Sequence, residues 1–384
     1  MKIFQILPRR MKFSKGRASS VELCVAEWVA GSRFRGETTV FAEAGDDPLI
    51  DVDIHRWHPA RKLVSWQTAL EIRRQVAQRG CDLIIVQQHI ATAARIAAFN
   101  PGTPVILSTH NYVEGRAEGF GAPVRDRLVQ HRLRGLSGIT LISEATRSEF
   151  TENWPGVKIP RAVVSNGFDF GQWQPRQERD KLVLVVGRVT EEKGLLEAAS
   201  GIGTFLADHP DWRACFVLSE PEKNPSYFQA IKDALAARAS QVDLLAGIPY
   251  AQVRNLSERC AIAVVPSKWN EPFGRTALEA HAGGAALVSS GSGGLREISG
   301  DCALYLDAVS GPAIDLALRA LAQDDEQRRD LAASGAARVR RLFQMSGIDA
   351  AEDTPSICER LDRFCERVVA SFGVPNATAE TLRA

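Results

Sequence analysis

The sequence predicts an α/β protein made of two αβα sandwiches, and three observations carry that expectation. Short apolar, β-branched runs alternate with amphipathic stretches, as parallel strands joined by crossover helices require. The alternation breaks at a polar linker over 172–180, rich in Gln, Arg and Pro, and restarts at Leu182. At 384 residues the chain exceeds what one hydrophobic core usually supports.

In the first half, strands are expected over 3–7, 83–86, 105–108 and 140–142, and helices over 21–30, 67–78, 91–99 and 125–136. In the second half, strands are expected over 182–186, 214–218, 243–246, 261–265, 286–289 and 303–306. Ile357, Leu361, Phe364, Val368 and Phe372 recur at helical spacing and mark an amphipathic terminal helix. The closing NATAETLRA has no such pattern and is expected to fray. These readings divide the chain into 1–170, 171–345 and 346–384.

Composition narrows the class. Seven cysteines, at 24, 81, 215, 260, 302, 358 and 365, form no CxxC pair, a pattern of reduced thiols rather than a disulfide framework or zinc site. A strand beginning at Lys2 leaves no room for a secretion signal, and no apolar run is long enough to span a membrane. A cytoplasmic protein is therefore expected. The net charge of +1 hides an asymmetry: residues 1–150 hold 21 Lys and Arg against 15 Asp and Glu. The densest basic run, Arg9, Arg10, Lys12, Lys15 and Arg17, follows the first strand, where a doubly wound fold places a ligand-facing loop. It suits an anionic acceptor or a peripheral contact with an anionic membrane face, and equally a solvated loop. It lacks interleaved aromatics, so nucleic acid is not an expected partner. Asp51 and Asp53, and the run Asp324, Asp325 and Glu326, read as surface charge rather than metal ligands, the latter as a helix start.

The most informative segment is NEPFGRTALEAHAGG. Pro272, Phe273 and Gly274 suit a loop and 276–282 a helix, so Glu271 precedes the helix and Glu279 lies inside it. Amides around Phe273, Gly274 and Arg275 then stand at the positive end of the helix dipole, which suits a phosphate or sugar oxygen. Upstream, KLVLVVGRVTEEKGL reads as a strand followed by Gly187, Arg188, a polar turn, Lys193 and Gly194.

These two segments, together with VVSNGFDFGQWQP over 163–175, resemble the retaining family 4 glycosyltransferases of the GT-B fold. Ser165 stands where that family usually has proline. The resemblance implies two Rossmann-like domains facing a central cleft, with the last helix returning to the first domain. It assigns Arg188 and Lys193, in the turn opened by Gly187, to the diphosphate of a nucleotide-sugar donor. Glu279 would take the ribose hydroxyls. Glu271, with the amides of Phe273 and Gly274, would take the sugar hydroxyls, and Gly247, Ile248 and Pro249 would meet the base. His110, just past a buried strand, would face the donor sugar. Gly16 would be the surviving glycine of the loop after the first strand, degraded here to KGRASSVE, while LSEPEKNPS reshapes the phosphate-side loop at 220–224. His89 could line the cleft, and His281 is expected to pack beneath its helix.

The implied activity is retaining, metal-independent sugar transfer to a glycan or glycolipid acceptor hydroxyl. The donor is the substrate and no separate cofactor is implied. A cytoplasmic step in lipopolysaccharide or exopolysaccharide synthesis fits best, at the inner face of the membrane if the basic run touches lipid. A nucleotide-sugar epimerase or hydrolase, or a non-catalytic binding scaffold, are the alternatives on the same fold.

Overall fold

The computed structural model describes residues 1–15, 19–43, 45–57, 64–119, 121–347 and 354–373. The chain separates into two units, Met1–Phe168 with Met345–Ala384, and Asp169–Gln344.

In the first unit the elements run β1 (Ile3–Ile6), α1 (Ser20–Gly31), β2 (Thr38–Ala42), β3 (Asp53–Arg56), α2 (Val64–Arg79), β4 (Leu83–Gln87), α3 (Ile90–Phe99), β5 (Val105–Ser108), α4 (Ala122–Arg134), β6 (Gly138–Leu141), α5 (Glu144–Asn153) and β7 (Arg161–Val163). All pairings are parallel, in the order β3-β2-β1-β4-β5-β6-β7. The central strands are buried along their whole length, which is why they read as unbroken apolar runs. Phe4, Ile6, Phe41, Ile84, Val86 and Leu107 build the core on one face of this sheet.

Sequence reading missed β2, β3, β7 and α5, for a physical reason. Two of these are edge strands, β3 (DIHR) and β7 (RAV), which are short and only partly buried and so lack the apolar run of a buried strand. Asp53, read as surface charge, opens β3, where its carboxylate accepts from Thr39 Oγ1 (2.7 Å) and pairs with Arg79.

The second unit runs β8 (Asp180–Arg188), α6 (Leu195–Asp208), β9 (Arg213–Ser219), α7 (Pro225–Leu235), β10 (Val242–Ala246), α8 (Tyr250–Arg259), β11 (Cys260–Val265), α9 (Arg275–Ala282), β12 (Ala286–Ser289), α10 (Gly294–Ser299), β13 (Leu304–Tyr305), α11 (Gly311–Gln323) and α12 (Asp325–Phe343). Its parallel sheet has the order β10-β9-β8-β11-β12-β13. Asp324 accepts from the Gln327 amide at 2.8 Å and so caps α12, the helix start expected there.

The terminal helix α13 (Ile357–Ser371) belongs to the first unit and packs on α1. Ser32 Oγ and the Arg33 amide donate to Asp362, at 2.7 and 3.0 Å. Phe372, placed on the apolar face by its spacing, lies past the helix end and is exposed.

Candidate functional site

In each sheet the strand order reverses once, between β1 and β4 in the first unit and between β8 and β11 in the second. Loops leaving such a pair of strands diverge to opposite sides and open a crevice at their carboxyl ends, the usual ligand position in open α/β sheets. Most of the residues singled out from the sequence cluster at the second of these points.

There β8 ends at Arg188, and a tight turn, Glu191–Lys193, leads through Gly194 into α6. Gly194 has φ 65°, and a Cβ on it would lie 2.0 Å from Pro266 O. Only glycine lets this turn lie flat on the loop leaving β11. The amides of Lys268 and Trp269 donate to Glu192 O, at 2.8 and 3.1 Å, and tie the two loops together. Lys193 Nζ consequently meets Glu271 Oε1 at 2.6 Å, with both side chains largely buried. Arg188 is more than half exposed and 3.9 Å from Glu192. Of the two cations assigned to the diphosphate, Arg188 therefore stays exposed, whereas loop packing carries Lys193 onto Glu271.

Gly293, in the loop after β12, and Gly294, which opens α10, close the other side. The Gly294 amide donates to Glu271 O at 2.8 Å, and a Cβ on Gly293 would come within 2.3 Å of the same oxygen. Sequence reading passed over this GSGG loop, although its glycine density after a buried strand was the available signal.

The helix α9 begins at Arg275, so Glu271 precedes it and Glu279 lies inside. Its cap, Gly274, has φ 102°, and Phe273 is buried edge-on to Phe343. Phe273 thus anchors the loop by its side chain and leaves only its backbone to a ligand. Glu279 is buried and accepts from Arg275 Nε at 3.1 Å. Burial raises the pKa of its carboxyl, against the pull of Arg275 and the Tyr250 hydroxyl. Tyr250, which sequence reading did not single out, also has the Arg275 guanidinium 5.6 Å from its ring centre. It follows directly on Gly247, Ile248 and Pro249, so it joins that loop to Glu279. Gly247 has φ 64° with open space around it.

In the first unit a cavity of about 420 Å³ lies at the other reversal point, lined among others by Leu7 and Arg9 after β1, Trp57, Thr68, Gln87 and His89. His110 lies beyond the end of β5. Its Nε2 is 2.8 Å from Gln87 Oε1, its amide donates to Gln88 Oε1, and its ring stacks on Trp28 at 5.2 Å. With an amide oxygen facing Nε2, the ring proton sits there and Nδ1 is left as an acceptor. Glu22, buried in α1, accepts from the amides of Lys12, Phe13 and Ser19 and so holds the loop after β1. Lys15 of the basic run pairs with Asp47 at 3.1 Å. Gly16 and Arg17 lie outside the described residues.

Burial pushes the pKa of both His110 and His281 down to about 4. His281 does pack beneath its helix. It is fully buried, with Nε2 3.0 Å from Ser299 Oγ and Nδ1 against Gly335, where a Cβ would lie 2.1 Å away. Between the ordinary value of 6.5 and about 4, only the unfolded chain takes up a proton on such a group, so stability falls as pH falls through that window. For His281 the loss is roughly 3 kcal/mol by pH 4. Urea unfolding at pH 7, 5 and 4 should show His281→Gln losing less stability on acidification than wild type. An unchanged pH dependence would exclude His281 as its source.

Two doubly wound units of this kind define the GT-B class of glycosyltransferases. The family model for glycosyl transferases group 1 matches residues 170–338 and that for Glycosyltransferase Family 4 matches 24–172, and the chain belongs to this family. The α-maltose-1-phosphate synthase of Mycolicibacterium smegmatis is 24% identical over 297 residues, covering 70% of this chain and 76% of that protein. A glycogen synthase of Mycobacterium tuberculosis is 26% identical over 256 residues, or 64% of this chain, and the match spans only 61% of that protein's length. The structure of Anabaena Alr3699/HepE in complex with UDP-glucose superposes with a TM-score of 0.71 at 15% identity, covering 96% of this chain and 100% of that one. No helix among the described residues is long and apolar enough to cross a membrane.

Proposed function

We propose that this protein is a retaining, metal-independent glycosyltransferase that moves a sugar from a nucleotide-diphosphate donor to an acceptor hydroxyl in cell-surface glycan synthesis, such as that of lipopolysaccharide or exopolysaccharide, on the cytoplasmic side. The observation that carries this reading is the Lys193–Glu271 pair at the reversal point of the second sheet, with Arg188 and the Arg275–Glu279 pair beside it. In this reading Lys193 turns from Glu271 to the donor diphosphate and, with Arg188, neutralises the charge that builds as the anomeric C–O bond breaks. Glu271, released from Lys193, takes sugar hydroxyls, and Glu279 takes the ribose. The acceptor oxygen attacks the face the diphosphate leaves, and a donor phosphate oxygen receives its proton, so configuration is retained. The first unit's cavity suits the acceptor, and His110 keeps the role of a contact to the donor sugar.

Calorimetry with bare nucleotide diphosphates, UDP first because a fold neighbour holds UDP-glucose, tests the division of roles. Glu279→Gln should weaken binding by about 1.5–3 kcal/mol, the range for hydrogen bonds to a charged group. Glu271→Gln should leave nucleotide binding nearly intact and damage transfer. Equal losses in both variants would count against the assignment.

A further inference from the structure

The helix α4 presents an amphipathic outer face that nothing among the described residues of the first unit covers. Val124 and Leu128, one turn apart, are 73% and 46% exposed, among the most exposed large apolar residues described. At 3.6 residues per turn, Arg125 and Arg132 follow one flank of that stripe and Arg127 the other, while Arg134 at the helix end donates its Nε to Gly156 O at 3.1 Å. The opposite face is spent on the core through Val129 and Leu133. Asp126, the only acid in the helix, is turned away from this face. It accepts from the Ala117 amide at 2.8 Å and pairs with Arg116 at 3.3 Å. Exposed Glu114 and Glu118 belong to the preceding loop, not to the helix.

We propose that α4 lies on an anionic lipid surface, with Val124 and Leu128 entering the headgroup boundary and Arg125, Arg127 and Arg132 meeting lipid phosphates. An apolar stripe flanked by long cationic side chains is the arrangement an interfacial helix needs, since the arginine stems cover apolar surface while their heads stay with the phosphates. A second copy of the chain fits less well, because pairing this face with itself sets arginine rows against arginine rows. Nucleic acid would satisfy the arginines but leave Val124 and Leu128 without an apolar partner. The helix follows directly on the His110 loop, so its first turn lies at the sheet edge where the strands end. A bilayer there would present membrane-borne molecules to that edge. Membrane binding by α4 does not depend on the reaction proposed above.

The test is co-sedimentation of the full chain with vesicles of phosphatidylcholine, with and without phosphatidylglycerol, alongside nucleotide binding as a separate readout. Wild type should partition onto the anionic vesicles and be released by added salt. Val124→Asp with Leu128→Asp should lower partitioning at least tenfold. Arg125→Gln with Arg132→Gln should lower it by roughly thirtyfold, two basic residues' worth at an anionic surface. Melting temperature and nucleotide affinity should not move in either double variant, and the arginine pair keeps the test valid if the aspartates disturb folding. Failure of wild type to bind anionic vesicles would overturn the proposal. So would unchanged partitioning in both double variants, binding abolished by Arg9→Gln with Arg10→Gln instead, or a dimer in solution that the Val124 and Leu128 changes dissociate.

Discussion

Arg188→Ala should lower turnover by on the order of 10²-fold or more while leaving the melting temperature unchanged, whereas Lys193→Ala should lose both turnover and stability. The two cations serve one proposed role but stand in different surroundings. Arg188 is more than half exposed and the Glu192 carboxylate is 3.9 Å away, so its removal disturbs little in the resting protein. Lys193 is largely buried and compensates Glu271 at 2.6 Å. Breaking a buried pair by deleting one partner typically costs about 3–5 kcal/mol, because the surviving charge is left uncompensated. In a unit of this size that corresponds to a fall on the order of 10 °C. Adding Glu271→Gln to Lys193→Ala should recover part of the melting temperature and none of the turnover. Near-normal turnover in both single variants would remove the proposed diphosphate site, and an unshifted melting temperature in Lys193→Ala would mean the pair contributes nothing to folding.

Gly194→Ala should be among the most damaging single changes in the second unit. Its left-handed backbone alone costs a side chain about 1–2 kcal/mol. The new Cβ would also lie 2.0 Å from Pro266 O, a contact that can be relieved only by moving the two loops apart. Overpacking of that kind adds about 1–3 kcal/mol or more. Gly80→Ala is the control, since Gly80 has φ 70° but nothing within 4 Å, and it should cost only the backbone share. Denaturant unfolding of the two variants separates strain from clash. Equal destabilisation would mean that the loops yield freely and that Gly194 does not hold Lys193 in place.

Much of this protein was legible in its sequence because the signals were local. Buried parallel strands read as apolar runs, as at 83–86 and 261–265, and the acidic run Asp324, Asp325 and Glu326 read as a helix start, where α12 begins. The Pro-Phe-Gly loop and the helix after it separated Glu271 from Glu279 without any tertiary information. The short edge strands β3 and β7 were not legible, because three or four residues at a sheet edge carry no burial pattern.

The sequence by itself determined two αβα units, the family, and the loops that carry the candidate site. Tertiary structure alone decided how those loops meet. Lys193 and Glu271 are 78 residues apart, and their pairing depends on Gly194 lying against Pro266 and on Gly294 donating to Glu271. Periodicity marked α4 as a helix, but only the packed sheet shows that Val129 and Leu133 take the inner side and leave Val124 and Leu128 outside. Charge and apolarity are written residue by residue, whereas burial and partnership arise only when distant segments exclude water from one another.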